Sequence, residues 1–428
     1  MRSALFPLLF AASCASSVGV GGGPPRAGNS SSDAAAPAHA EPAHAALAGV
    51  SEEAWRIHAS ALVVDGHNDL PWAMRTKAGY SLEAKDLSKP QPEFDTDLPR
   101  LVAGGMGAQF WSVYVPADAA KTGAALHQTI EQIDFVKRMA QRYPETLELA
   151  FTVADVERIR EEGRIACLMG AEGGHSMEGS LAVLRMLYEL GVRYMTLTHA
   201  DTNEIADSAT DEPKHGGLSK LGEEVVAEMN RLGMLVDISH VSVETMEDVL
   251  ALSKAPVIAS HSSCRALAEH VRNVPDEVLK GIARNRGVVM VNFFSGFVVD
   301  SSARKMAGLF DMRRKLREAN ASEQEIDATM ETWRKENPID RGTVKTIVDH
   351  IDHIVKVAGI DSAGLGSDFD GILETPVGLE DVSCYPRITQ ELLDRGYSEE
   401  AIRKVLGGNA MRALRRAEEV ARELQKKE

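Results

Sequence analysis

The sequence predicts an α/β protein built on a (β/α)8 barrel of the TIM type, with extra helices at its C-terminal end. From residue 61 onward, short runs rich in β-branched residues alternate with longer amphipathic stretches, which is the pattern that βαβ units produce. Eight such runs can be counted, and a barrel of this type requires eight strands. The predicted strands span residues 61–65, 108–115, 165–171, 194–198, 234–239, 257–260, 288–293 and 364–367.

Helical patterns fill the segments between these strands. Two of them end near Gly191 and Gly233, and glycine is the residue that most often terminates a helix before the next element. The polar segment 303–337 has a helical pattern and is interpreted as an insertion between the seventh and eighth strands. The predicted helices include residues 181–188, 225–232, about 275–286, about 341–358 and two within 398–427.

The N-terminal region has a different composition from the rest of the chain. Residues 1–14 contain an apolar run too short to span a bilayer and are interpreted as a signal peptide. The end of this segment is similar to a bacterial lipobox, which makes Cys14 a candidate lipid-bearing residue; a plain signal peptide is the alternative. The composition of residues 15–50, rich in Ala, Gly, Pro and Ser, predicts a disordered tether before a folded domain at 51–428. The expected location is the periplasm or the membrane surface of a bacterium.

Charge and cysteine content limit the classes of partner. The formal net charge of −16 argues against nucleic acid and anionic lipid, because both require a clustered basic surface. Beyond Cys14, the three cysteines Cys167, Cys264 and Cys384 show no CxxC spacing. We therefore expect neither a disulfide framework nor a thiolate metal site.

Ionisable side chains occur at the carboxyl ends of most predicted strands. Alternate residues of an extended chain point the same way, so His67 and Asp69 are both expected at the mouth of the barrel. Glu172 could bridge two ions through its two oxygens. The other strand-end candidates are His199, His240, His261 and Asp368.

Together these groups predict a metal centre. Burying so many ionisable groups costs several kcal/mol unless a cation compensates them. Imidazoles and carboxylates without thiolates favour zinc, with manganese, iron and cobalt as alternatives. Two ions sharing a carboxylate would activate a water molecule as hydroxide and polarise a carbonyl group.

Six segments resemble the membrane (renal-type) dipeptidase family. The resemblance covers about residues 52–410, with the motifs in the order that the family has. The segments are DGHNDLPW at 65–72, EGGH at 172–175, LTH at 197–199, SHS at 260–262, RNVP at 272–275 and DFDG at 368–371.

The resemblance implies a (β/α)8 barrel that holds two zinc ions. Carried over by motif, His67, Asp69 and Glu172 would bind one ion. Glu172, His240 and His261 would bind the other, so Glu172 would be the bridge between them.

The resemblance also implies roles in binding and cleaving a dipeptide. His199 would contact the scissile carbonyl, and Arg272 would grip the C-terminal carboxylate. Asp368 would take the proton from the bridging water, as hydroxide forms, and pass it to the leaving amine. The family tolerates a D-residue at the C-terminal position and is commonly homodimeric.

Supporting or structural roles, not catalysis or metal binding, are expected for the neighbouring polar residues. Asp370 is expected to support the turn at Gly371 although it could share the acid/base role, and His175 is expected to be structural or to support a metal ligand. Asp65 and Asp237 are expected to orient ligand imidazoles. The alternative functions are another binuclear hydrolase of the amidohydrolase type, such as a deaminase or a lactamase-like enzyme, and a non-catalytic binding lipoprotein.

Overall fold

A computed structural model describes residues 48–319 and 321–427. The predicted signal peptide with Cys14 and nearly all of the predicted tether lie outside the described residues. Within the described part of the chain, no helix is both long and apolar enough to span a bilayer.

Eight parallel strands form a closed barrel. Each strand pairs with its neighbours in the order β2-β1-β9-β8-β7-β6-β5-β4, and pairing of β2 with β4 closes the ring. This confirms the predicted (β/α)8 fold, with every predicted strand present at slightly different bounds. The barrel strands are β1 (Val63–Asn68), β2 (Met106–Ser112), β4 (Ile165–Glu172), β5 (Val192–Thr196), β6 (Leu235–Asp237), β7 (Ile258–Ala259), β8 (Val288–Val291) and β9 (Ala363–Leu365).

A ninth strand, β3 (Leu147–Leu149), was not predicted. It pairs with the first residues of β4, while β5 pairs with the later residues of that strand. It therefore extends the sheet without interrupting the barrel. Three residues are too few for a pattern of period two to be recognised in the sequence.

Helices surround the barrel between successive strands. The predicted helix endings hold, since Gly233 ends α8 in a left-handed conformation and Gly191 follows α7 with positive φ. The helices before β8 are α1 (Glu52–Ser60), α2 (Leu70–Ala78), α3 (Leu98–Ala103), α4 (Asp118–Lys121), α5 (Ala125–Arg142), α6 (Val153–Glu161), α7 (Leu181–Glu189), α8 (Lys220–Leu232), α9 (Val243–Leu252) and α10 (Asp276–Asn285). Those after β8 are α11 (Ser295–Val298), α12 (Asp300–Glu318), α13 (Glu323–Glu336), α14 (Val344–Ala358), α15 (Tyr385–Asp394), α16 (Glu399–Arg403) and α17 (Asn409–Gln425).

The predicted insertion is present as α12 and α13, between β8 and the helix that precedes β9. Its apolar residues pack into a small core of their own, separate from the main core that surrounds the barrel. The insertion therefore forms a distinct layer beside the barrel.

The amino end of the barrel is covered by the C-terminal helices. At Gly407, which precedes α17, a Cβ atom would lie 2.3 Å from the carbonyl oxygen of Leu62. Asn409 donates to the carbonyl oxygens of Ile360 and Ala363, which tie α17 to the start of β9. Leu414 of α17 completes the packing of the barrel interior. The carboxyl end is thus where a site can be accessible.

Candidate metal centre and active site

The predicted ligands converge at the carboxyl end of the barrel. His67 lies within β1, and Glu172 is the last residue of β4. His240 and His261 follow β6 and β7. Asp69 precedes α2, where its carboxylate caps no backbone N–H and instead approaches His67, with Oδ2 3.3 Å from Nε2.

Glu172 lies between two groups of donor atoms. Its Oε1 is 3.1 Å from Nε2 of His240 and 3.3 Å from Nε2 of His261. Its Oε2 is 3.6 Å from Nε2 of His67. The two carboxylate oxygens thus contact different imidazoles, as those of a bridging ligand would.

The outer ring nitrogens of two histidines are held by hydrogen bonds. Nδ1 of His67 is 2.8 Å from the Tyr194 hydroxyl, which in turn donates to the carbonyl oxygen of Gly66. Nδ1 of His261 is 2.8 Å from Ser260 Oγ, and that hydroxyl donates to Asp237. Because both hydroxyls already donate elsewhere, they accept from Nδ1–H. The Nε2 lone pairs are then directed toward Glu172 and its neighbours.

These side chains fit a bound metal ion. Nε2 of His240 and Nε2 of His261 lie 2.8 Å apart. Nε2 of His67 and Oδ1 of Asp69 are buried without a hydrogen-bond partner. Such an arrangement is costly unless a cation compensates it. Within the described residues, three groups have ligand atoms within 4.8 Å of one another: His67, Glu172 and His261; Glu172, His199 and His240; and His67, Asp69 and Asp368.

The two aspartates expected to orient imidazoles behave differently. Asp237 acts on His261 through Ser260, in agreement with the prediction. Asp65 contacts His67 through the backbone, where its Oδ1 accepts from the N–H at 3.4 Å, and its side-chain partners are not imidazoles, so that prediction is wrong. Its carboxylate accepts from the backbone N–H and the hydroxyl of Ser367, both at 2.7 Å, and thereby ties β1 to β9. Tyr194 orients His67 instead.

Asp368 stands at the wall of the same site. It has a left-handed backbone with φ of 68°, and its Oδ2 accepts from Asn292 Nδ2 at 2.8 Å. Burial raises the pKa of Asp368 well above its usual value, and the nearby charges of Asp69 and Glu172 raise it further. His240 shares this backbone conformation, also with φ of 68°.

The turn after Asp368 leaves no room for a side chain at Gly371. A Cβ atom there would lie 2.2 Å from Oδ2 of Asp69 and 2.7 Å from Oδ1 of Asp368. Asp370 and Asp95 fix this turn together, because the carboxylate of each accepts a hydrogen bond from the backbone N–H of the other. Burial and the charge of Asp95 raise the pKa of Asp370 to about 7. These contacts agree with the supporting role expected for Asp370.

A cavity of about 390 Å³ opens onto these groups. His199 lies half-buried in its lining, with its ring 4.5 Å from that of His240 and 4.8 Å from that of Tyr114. Burial lowers the pKa of His199 to about 4, so the imidazole is neutral at pH 7. It can therefore offer a neutral N–H to an oxygen atom in the cavity.

Arg272 lines the same cavity and is only 2% exposed. Its guanidinium makes long hydrogen bonds of 3.4 Å to Ser262 Oγ and to the carbonyl oxygen of His261, and its Nε has no hydrogen-bond partner. Burial lowers the pKa of Arg272 to about 10, which still leaves it charged at pH 7. A buried guanidinium with this spare donor capacity suits an anionic ligand.

Some contributors to the site were not predicted. Tyr194 lies inside a strand, where the sequence pattern predicts a core residue. A buried tyrosine hydroxyl nevertheless generally needs a polar partner. Asn292 follows β8 and carries the same signal as the predicted residues, a polar side chain at a strand end. Apolar residues of the insertion also line the cavity. His175 is structural as expected, since its Nε2 bonds the carbonyl oxygen of Val115.

The comparison with family models agrees with this arrangement of strand-end ligands. Residues 51–428 match the model of membrane dipeptidase, peptidase family M19. The chain belongs to this family. It is therefore a metallo-dipeptidase, a hydrolase that acts on peptide bonds.

Individual relatives extend the comparison. The chain is 41% identical over 367 residues to dipeptidase tcpJ of Claviceps purpurea, an alignment that covers 83% of this chain and 77% of the relative. The structure of the probable dipeptidase PvdM from Pseudomonas aeruginosa is 27% identical, with a TM-score of 0.75, and the match covers 86% of this chain and 98% of that one. A metallopeptidase from Rhodobacter sphaeroides, liganded with a phosphinate mimic of L-Ala-D-Ala, shares the fold at 24% identity and a TM-score of 0.68, with 83% and 99% of the two chains covered.

Proposed function

We propose that the chain is a zinc-dependent dipeptidase with two zinc ions bridged by Glu172. His67 and Asp69 complete one set of ligands, and His240 and His261 complete the other. The observation that carries this proposal is the position of Glu172, whose Oε1 contacts the imidazoles of His240 and His261 and whose Oε2 contacts that of His67. Imidazole and carboxylate donors without a thiolate are a ligand set that zinc accepts.

Bound zinc would supply Lewis acidity toward the scissile carbonyl and lower the pKa of a water molecule in the site. The protein contributes the orientation of the ligands. Tyr194 and Ser260 hold two imidazoles in the tautomer whose Nε2 can bind a cation.

Substrate binding is assigned to Arg272 and His199. The hydrogen bonds of the Arg272 guanidinium go to uncharged groups, so a substrate carboxylate would supply the opposite charge that burial demands. The neutral His199 imidazole can donate to the carbonyl oxygen as negative charge develops there. A carboxylate held this close to the cleaved bond leaves no room for a third residue, which restricts the enzyme to dipeptides.

Asp368 is assigned to proton transfer. Asn292 fixes one carboxylate oxygen of Asp368, and a carboxylate oxygen of Asp368 lies within 4.8 Å of ligand atoms of His67 and Asp69. From this position Asp368 can accept a proton from the attacking water and return it to the leaving amine.

The accepted substrates are proposed to include dipeptides with a C-terminal D-residue. The support is the relative from Rhodobacter sphaeroides, which was liganded with a mimic of L-Ala-D-Ala. Comparison of L-Ala-L-Ala with L-Ala-D-Ala tests this part separately, and cleavage of only the L,L form would remove it.

The test of the main proposal is release of free amino acids by the purified full-length chain from dipeptides and from tri-alanine. We expect cleavage of dipeptides only, loss of activity with a chelator, and recovery with zinc. Zinc-loaded protein that leaves every dipeptide intact would overturn the substrate assignment in favour of another amidohydrolase-type reaction. Recovery with manganese or cobalt but not with zinc would overturn the metal assignment alone.

Export, lipid attachment at Cys14 and a homodimer are also proposed, on the leader sequence and the family resemblance. Incorporation of labelled fatty acid into the wild type but not into Cys14→Ser tests the anchor. Sedimentation of the purified protein tests the dimer.

A further inference from the structure

The cavity has a polar floor and an apolar wall. The floor consists of the metal-site residues described above. The wall comes from the insertion and its surroundings, outside the strand ends that supply the catalytic groups. Its residues are Phe294, Phe297, Met306, Leu309, Phe310 and Met330.

This wall is a packed surface. Leu309 is 1% exposed and Met306 5% exposed, yet both line the cavity. The Phe297 ring packs edge-on against that of Phe294 at 4.8 Å and lies 6.3 Å from that of Phe310. The wall is therefore preformed for an apolar group.

Arg272 connects the wall to the substrate. Its guanidinium lies over the Phe297 ring, 5.4 Å from the ring centroid. In the function proposed above, on which this step rests, Arg272 holds the C-terminal carboxylate of the dipeptide. The Cα of that residue is one bond from the carboxylate, so its side chain emerges beside Phe297.

We propose that the wall binds the side chain of the C-terminal residue and that the enzyme prefers a large apolar residue at that position. The N-terminal residue lies on the far side of the cleaved bond, farther from Arg272 and Phe297. The preference therefore depends on the order of the two residues as well as on their identity. Trp72 and Tyr114 also line the cavity, so the dipeptide with the reversed order tests whether the preference is confined to the C-terminal position.

Two further guanidiniums line the cavity, those of Arg313 and Arg334. If they rather than the wall received the C-terminal side chain, an acidic residue would be preferred at that position. A dipeptide with an acidic C-terminal residue therefore distinguishes binding by the two arginines from binding by the apolar wall.

The experiment is measurement of kcat/KM for Ala-Leu, Leu-Ala, Ala-Ala and Ala-Glu with the zinc-loaded full-length chain. One methylene in an apolar pocket changes kcat/KM by roughly 10- to 200-fold. We therefore expect Ala-Leu to exceed each of the other three by at least about 10-fold. The reversed pair has the same composition, which removes general hydrophobicity as an explanation.

Variants of the wall test whether it causes the preference for Ala-Leu. Phe310→Ala removes part of the wall and should lower the ratio of Ala-Leu to Ala-Ala, mainly through KM for Ala-Leu. Phe310→Leu, a smaller change, should lower the ratio by less than Phe310→Ala does, and it serves if the alanine variant does not fold. The matched control is Ile326→Val, which lies in the same small core but does not line the cavity. It should leave the ratio unchanged.

The possible failures are distinguishable. Cleavage of all four dipeptides with Leu-Ala equal to or better than Ala-Leu would overturn this inference and leave the proposed function intact. A preference for Ala-Glu would overturn it in favour of the two arginines. A wall variant that leaves the ratio as in the wild type would also overturn it. Cleavage of none of the four would remove the proposed function and this inference together.

Discussion

Two histidines at the carboxyl end of the barrel, His67 and His261, differ from the buried His58 and His350 in how their ring nitrogens are used. His58 bonds Thr389 through Nδ1 and the carbonyl oxygen of Gly104 through Nε2. His350 likewise has a protein partner at each nitrogen. His67 and His261 have a hydroxyl at Nδ1 only, and Nε2 faces other ligands. Protein groups thus use both ring nitrogens of His58 and His350, whereas His67 and His261 each keep Nε2 for a cation.

The strongest test of this contrast is to change Glu172, whose carboxylate contacts Nε2 of both His67 and His261. Glu172→Gln replaces the carboxylate with an amide that cannot bridge two cations, so activity should fall to background and both zinc ions should be lost. Zinc content per chain and dipeptide hydrolysis measure the two effects. Glu178→Gln, an exposed change on the same loop, is the control. Retention of two zinc ions by Glu172→Gln would contradict the bridge.

The next effect concerns proton transfer without loss of metal. Asp368→Asn keeps the shape of the side chain and an oxygen that can accept from Asn292. The zinc content should therefore stay at the wild-type level. The rate constant kcat should fall by about 10²- to 10⁴-fold, the usual contribution of a positioned acid or base. Asp370→Asn is the matched neighbour and should cost clearly less. Equal losses in the two variants would show that the acid/base role is not specific to Asp368.

Removal of a hydroxyl that holds Nδ1 of a ligand histidine should have a smaller effect on metal binding. Tyr194→Phe deletes the hydroxyl at Nδ1 of His67 and should weaken zinc binding about 10- to 100-fold, as the loss of such supporting groups does. Ser260→Ala should act similarly through His261. Competition with a chelator measures the affinity. Affinities equal to that of the wild type would mean that neither hydroxyl orients its ligand.

The smallest effect concerns a histidine with two protein partners. Burial lowers the pKa of His58 to about 4 from a usual value of 6.5. The unfolded chain therefore binds more protons than the folded one between these pH values, and the free energy of unfolding falls as the pH falls through this interval. One such group contributes at most about 1.4 kcal/mol per pH unit.

His58→Gln should flatten that part of the stability profile and leave dipeptide hydrolysis unchanged at pH 7. Denaturant unfolding at several pH values measures it. The control is His127→Gln, because that side chain is 76% exposed. A slope unaltered by His58→Gln would mean that His58 already carries its proton in the folded state.

The site residues at the strand ends could be predicted from the sequence because each has a local signal. An ionisable residue directly after a β-branched run is unusual enough to be recognised, and the barrel brings all such ends together. Tyr194 escaped prediction because it lies within its strand, where an aromatic residue is expected for packing alone. Asp65 was misassigned because proximity in sequence to His67 does not decide which neighbour its carboxylate reaches.

The cavity wall was beyond sequence reasoning for a different reason. The insertion is polar overall, and its few apolar residues, such as Met306 and Phe310, are spaced as in any amphipathic helix. Only the packing of α12 and α13 against the barrel decides whether that apolar face meets the core or a cavity. The pattern predicts the helices but not what they face.

The left-handed backbone at His240 and Asp368 has a consequence for how this enzyme can change. Glycine adopts that conformation without the steric penalty that a side chain incurs, which is roughly 1 kcal/mol per residue. At both positions the backbone conformation favours glycine, whereas the proposed metal-binding and proton-transfer roles require the imidazole of His240 and the carboxylate of Asp368. Substitution by glycine would therefore relieve the backbone and remove the side chain that the proposed reaction needs.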